Sequence, residues 1–145
     1  MAQTLAQALQ SGTLYSDEYI YRFVKLPVNR LVAAAGVIAE ANHPFSGLLL
    51  DKDEVTLMIE DEDFEQFKKR LNGFEVSDVR YRLITFDVVL ESNLVGFMAV
   101  VSTALAEANI SLMPFAAYSR DHIFVGVDDY DRAIDVLEKL KTSIE

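Results

Sequence analysis

The tetrapeptide Ala39-Glu40-Ala41-Asn42 returns as Ala106-Glu107-Ala108-Asn109, 67 positions further along the chain. Four letters can coincide by chance, so the flanks decide whether this is a repeat. They agree at nearly the same offset. Upstream, Tyr19 to Leu26 and Tyr81 to Leu90 are β-branched and aromatic runs with period-two alternation, in which Ile84, Phe86, Val88 and Leu90 share one face. Downstream, Lys52-Asp53-Glu54 leads into Val55-Thr56-Leu57-Met58-Ile59, as Arg120-Asp121-His122 leads into Ile123-Phe124-Val125-Gly126-Val127. Each run predicts a strand. Both of the later strands enter acidic segments, Asp61-Glu62-Asp63 and Asp128-Asp129, where carboxylates cap free N–H groups and suit the positive end of a helix.

Between first strand and tetrapeptide each copy has a helical stretch. It is clearest where Phe97, Val100, Val101, Ala104, Leu105 and Ala108 recur as one buried stripe. Apolar segments follow at Phe45 to Leu50 and Ile110 to Tyr118, and a last helix is expected to bury Tyr130, Ala133, Ile134, Leu137 and Leu140. With a further strand near Phe74 to Val79, the first copy reads βαββαβ. That order gives an α+β fold of two ferredoxin-like units in tandem, each an antiparallel sheet with helices on one face. The expected domains are residues 14–76 and 77–145. The second copy reaches Glu145 without a last strand, so it is either three-stranded or completed by an N-terminal strand from Thr13 to Tyr19. No Gly- or Pro-rich linker parts the copies. Tight fusion is expected, because a unit of about 65 residues buries only about 60% of its open-chain surface.

The chain of 145 residues is enough for one such pair and excludes a multidomain enzyme. Thirteen Lys and Arg against 23 Asp and Glu give a net charge of −10, which opposes binding to nucleic acid or an anionic membrane. Without cysteine there are no disulfides, thiolate metal sites or thiol nucleophiles. The longest apolar run, Leu31 to Ala39, is about half the roughly 20 residues that span a bilayer, and no basic-then-apolar leader opens the chain. A soluble cytoplasmic protein is expected. His43 and His122 are the only histidines, so the usual general base and nitrogen ligand are nearly absent. No phosphate loop, nucleophile elbow or metal-ligand spacing is present. No enzyme, cofactor or metal is expected.

A tandem ferredoxin-like repeat with a glycine before the first helix and an acidic turn before the third strand resembles the ACT domain. The second copy carries the resemblance best, through Leu94-Val95-Gly96-Phe97, Ala104-Leu105-Ala106-Glu107-Ala108-Asn109-Ile110-Ser111 and Tyr118-Ser119-Arg120-Asp121-His122-Ile123-Phe124-Val125. These stretches are similar to the compact bacterial tandem ACT proteins and to halves of the CASTOR arginine sensors. The first copy adds Phe45-Ser46 and Val55 to Asp61. The resemblance implies a non-catalytic regulatory module that binds an amino acid where a strand-to-helix loop meets another domain. Gly96 matches the glycine heading the ligand loop and Asp121 the acidic residue that reads the bound amino acid. Leu94 stands where those sensors carry an acidic residue and Ala116 where they carry Ser, which leaves the identity of the amino acid open.

The candidate ligand-binding residues are Ser92, Asn93, Leu94, Val95, Gly96, Phe97, Ser119, Asp121 and His122. The loop Glu91 to Phe97 ends at a helix start, whose N–H groups suit an α-carboxylate, and a side chain at Gly96 would block the approach. The competing reading makes Asn93 the N-cap, Gly96 a packing glycine and Asp121 a turn residue. Strand offsets place about three more residues in this loop than in its counterpart Pro27-Val28-Asn29-Arg30, which points to the second copy as the working one. His43 is expected after a helix C-terminus, His122 on a strand, and Glu60 to Asp63 as a helix start, lacking the spacing of a Ca²⁺ loop.

The leading functional expectation is a small sensor that binds a free amino acid and passes the change to a protein partner or to its own homodimer or higher oligomer. The rival is an interaction module of the same fold without ligand. A third, an acylphosphatase-like enzyme, would need an anion-binding loop, for which the first copy offers only Asn29-Arg30.

Overall fold

The computed structural model describes residues 2–143. In chain order the elements are α1 (Leu5–Ser11), β1 (Thr13–Tyr15), β2 (Tyr21–Leu26), α2 (Leu31–Ala41), β3 (Gly47–Leu50), β4 (Val55–Glu60), α3 (Asp61–Phe67), β5 (Glu75–Val76), β6 (Tyr81–Asp87), α4 (Phe97–Glu107), β7 (Leu112–Ala116), β8 (Asp121–Gly126) and α5 (Tyr130–Ser143). They form two compact units, one of Tyr19–Tyr81 and one of Met1–Glu18 with Arg82–Glu145.

In the Tyr19–Tyr81 unit the strands run β3-β4-β2-β5, all antiparallel, which is the ferredoxin-like order. Alternate residues Val24 and Leu26, and Val55, Leu57 and Ile59, face Ala34 and Val37 of α2 and Phe64 and Phe67 of α3 in one core. The acidic start of α3 is a true cap: Glu60 accepts from the N–H groups of Glu62 and Asp63. The expected strand Phe74 to Val79 shrinks to the two residues of β5.

The second unit repeats the order as β1-β6-β8-β7. Here the fourth strand comes from the N-terminal segment, with Thr13, Leu14 and Tyr15 paired antiparallel to Asp87, Phe86 and Thr85. Helix α1, which the sequence reading missed, sends Ala8 and Leu9 into the core beside Ile84, Phe86, Phe97, Val101, Leu105, Ala133 and Leu137. Strand β6 stops at Asp87 rather than running to Leu90; Leu90 and Leu94 instead fold back on the core.

The repeated tetrapeptide is a helix ending. Asn42 and Asn109 both adopt left-handed φ, 52° and 58°, a conformation that Asn tolerates better than most residues. After α4 the Ile110 N–H bonds the Leu105 carbonyl at 2.9 Å and turns the chain into β7. The recurring Asn therefore has a backbone cause. No helix among the described residues is long and apolar enough to cross a membrane.

Candidate functional site

Nine residues join β6 to α4, against four between β2 and α2. Their path is held from both sides. The Leu94 N–H bonds the Glu91 carbonyl at 3.0 Å, closing a turn over Ser92 and Asn93, and the Leu90 N–H bonds the Ser119 carbonyl at 2.7 Å. Gln3 clasps the same loop: its N–H donates to Glu91 Oε2 at 3.1 Å, its Oε1 accepts from the Glu91 N–H at 3.0 Å, and its Nε2 donates to the Val89 carbonyl at 3.0 Å. Opposite lies the β7–β8 turn, in which the Ala117 N–H bonds the Arg120 carbonyl at 3.0 Å.

Loop and turn enclose a cavity of about 400 Å³. That lies within the usual range of small-molecule sites, roughly 300 to 1,000 Å³. Of the residues singled out from sequence, Ser92, Leu94, Gly96, Phe97, Ser119 and Asp121 line it, whereas Asn93, Val95 and His122 do not. Val95 points to solvent, 84% exposed. His122 faces away, its Nδ1 joined to the buried Thr85 hydroxyl at 2.8 Å. Glu91, Met98, Tyr118 and Arg120 also line the cavity and were not anticipated. The Tyr118 to Asp121 turn, legible in the sequence, was the signal that could have found two of them.

Asn93 is not the helix cap. Helix α4 starts at Phe97, and its N-cap is Gly96 at φ 91°, ψ 0°, with no side-chain cap. The N–H groups of Phe97, Met98 and Ala99 therefore lack the acceptor that Glu60 provides for α3. Met98 and Ala99 border the cavity. The reason for glycine differs from the expectation: a Cβ there would meet only Leu5 Cδ2, at 3.9 Å, so space is available, and the positive φ is what excludes other residues.

Asp121 makes no hydrogen bond or salt bridge with its carboxylate among the described residues, while the neighbouring Arg120 Nε is held by Asp87 at 2.9 Å. Burial pushes the Asp121 carboxyl above its ordinary value, and His122 opposes this. Burial pulls the His122 imidazole below its ordinary value; Asp121 raises it and Arg120 lowers it further. The arrangement offers amide donors and a carboxylate to one ligand.

Residues 76–139 match the family model of the ACT domain. Over this part the chain is similar to ACT domains. No curated protein matches the sequence. Among solved structures, the chain is similar to a protein of unknown function from Vibrio cholerae described as a possible transport protein, with 28% identity, a TM-score of 0.72 and coverage of 94% of this chain and 95% of that one. It is also similar in fold to the ligand-free regulatory subunit of aspartate kinase from Thermus thermophilus, at 14% identity and TM-score 0.64 over 91% of this chain and 98% of that one. Aspartokinase III of Escherichia coli in complex with aspartate and ADP shares the fold at 14% identity and TM-score 0.62, over 88% of this chain and 33% of that one. The match to the ACT domain and the α+β fold support a regulatory, small-ligand-binding role.

Proposed function

We propose that the ACT-domain protein is a non-catalytic sensor that binds a free amino acid, or a similar small zwitterion, in the cavity between the β6–α4 loop and the β7–β8 turn. One observation carries this reading: uncapped amides at the start of α4 and the carboxylate of Asp121, which has no hydrogen bond or salt bridge among the described residues, border the same cavity. A ligand α-carboxylate takes the amides, where the helix dipole favours negative charge, and Asp121 takes the ammonium or a cationic side chain. The ferredoxin-like repeat and its similarity to regulatory parts of aspartate kinases support it.

A second reading, an interaction module, draws on Val95 and the fully exposed Tyr118 beside the cavity. A thermal-shift screen of the twenty amino acids distinguishes the two. A ligand at 100 times its Kd adds about 2.7 kcal/mol, which at roughly 2–4 °C per kcal/mol is a rise of roughly 5 to 10 °C. A rise confined to one or a few related amino acids supports the sensor; no rise with any of them leaves the interaction module.

A further inference from the structure

We propose that His43, Glu60 and Asp63 form a binding site for a first-row divalent cation of the zinc or manganese kind, within the Tyr19–Tyr81 unit. His43 follows α2, and the two carboxylates sit at the β4–α3 junction. Their ligating atoms all lie within 4.8 Å of one another. His43 Nδ1 is 3.8 Å from Asp63 Oδ2, too far for a good hydrogen bond. Two bonds of about 2.0 to 2.2 Å to a shared ion span that gap.

The histidine is oriented as a ligand. Its Nε2 is joined to the hydroxyl of the buried Tyr21 at 3.0 Å; with Nε2 donating, Nδ1 keeps its lone pair toward the carboxylates. The rings of Tyr19 and Tyr21 stand edge-on to the imidazole at 4.6 and 5.7 Å and wall it on the apolar side. The backbone is restricted on both sides, by left-handed Asn42 before it and by Pro44 after it, which disfavours helical backbone at the residue it follows.

Glu60 is buried, and its carboxylate is aimed by the bonds it accepts from the N–H groups of Glu62 at 2.6 Å and Asp63 at 3.2 Å. Each oxygen has a second lone pair for a cation. Charge completes the argument. Asp61, between them, is held by Arg22 at 3.0 Å and Arg80 at 3.6 Å, whereas no Lys or Arg among the described residues pairs with Glu60 or Asp63. Two carboxylates brought together out of water need a compensating charge, to which the short helix α3 contributes only a partial one. One imidazole with two carboxylates suits zinc or manganese better than magnesium or calcium, and three protein ligands leave a further position open. Such an ion ties the segment after α2 to the start of α3.

The test uses the full chain, stripped with a chelator and titrated with Zn²⁺ by calorimetry and with Co²⁺ by visible absorption. One equivalent of saturable binding is expected, with a Co²⁺ spectrum of nitrogen and oxygen ligation. Asp63→Asn and His43→Gln should each weaken binding at least tenfold, while Glu62→Gln, an exposed neighbour on the same turn, binds as the parent does. No saturable binding to the stripped parent overturns the proposal, as does parent-like affinity in both Asp63→Asn and His43→Gln. The Co²⁺ spectrum of the parent decides the matter even where a variant fails to fold.

Discussion

Alanine at Gly96 and alanine at Gly36 are the same chemical change with opposite expected signs. Gly96 caps α4 at φ 91°, and a Cβ there meets nothing closer than Leu5 Cδ2 at 3.9 Å, so the loss is backbone strain alone. A left-handed conformation costs an ordinary residue about 1–2 kcal/mol. Gly36 lies inside α2, where a Cβ meets Arg70 Nη2 at an ordinary 3.6 Å. Alanine stabilises a helix interior over glycine by about 0.5–1 kcal/mol. The two variants should therefore differ by roughly 1.5–3 kcal/mol, or about 3 to 12 °C in Tm, with the parent between them. Gly96→Asn should fall between parent and Gly96→Ala, because Asn tolerates the left-handed region. Thermal unfolding followed by circular dichroism measures all four proteins. A Gly96→Ala protein as stable as the parent, or an Asn variant worse than the Ala one, refutes the claim that φ selects this glycine.

Two further outcomes are expected. His122 is held below its ordinary pKa by burial, so the folded state favours neutral imidazole; its contribution is complete above about pH 6.5 and is lost as pH falls toward the depressed folded value. Urea unfolding should show stability declining from pH 7 into the acid range, and His122→Gln should flatten that decline; an unchanged slope contradicts it. Among the described residues strand β3 pairs with β4 alone and exposes Leu49 and Leu50, whereas β7 carries Pro114, which cannot donate to a ladder. Sedimentation should show self-association that Leu49→Lys weakens; a parent sedimenting as 16.3 kDa at high concentration removes the expectation.

Much of the fold was legible because it rests on periodicity. The buried stripe of α4 and the runs around Val55 and Ile123 are read correctly from apolar spacing, since burial on one face is what fixes those elements. Helix α1 escaped the reading, yet Thr4 and Gln7 form a capping box that marks its start. The fourth strand of the second unit was one of two alternatives in the sequence, an N-terminal strand or none, because its pairing joins residues 70 to 74 positions apart, a register that no local pattern encodes. In the site, the loop and the turn were legible from the glycine, the Asp and the extra loop length. The cap was not: whether Asn93 or Gly96 ends the loop depends on a φ angle set by how Leu90 and Leu94 fold back on the core. His122 was misplaced by one position of strand alternation, which sends Asp121 to the cavity and the imidazole to Thr85.

The reading of the cavity as an amino-acid site is tested most directly by calorimetric titration of the parent and of Asp121→Asn with the amino acid that raises Tm most. The substitution keeps shape and removes charge. A charge-assisted bond contributes about 1.5–3 kcal/mol, so Asp121→Asn should bind roughly 10- to 150-fold more weakly, most of all for a cationic amino acid. Equal affinity in the two proteins, or no heat of binding to the parent, contradicts the account.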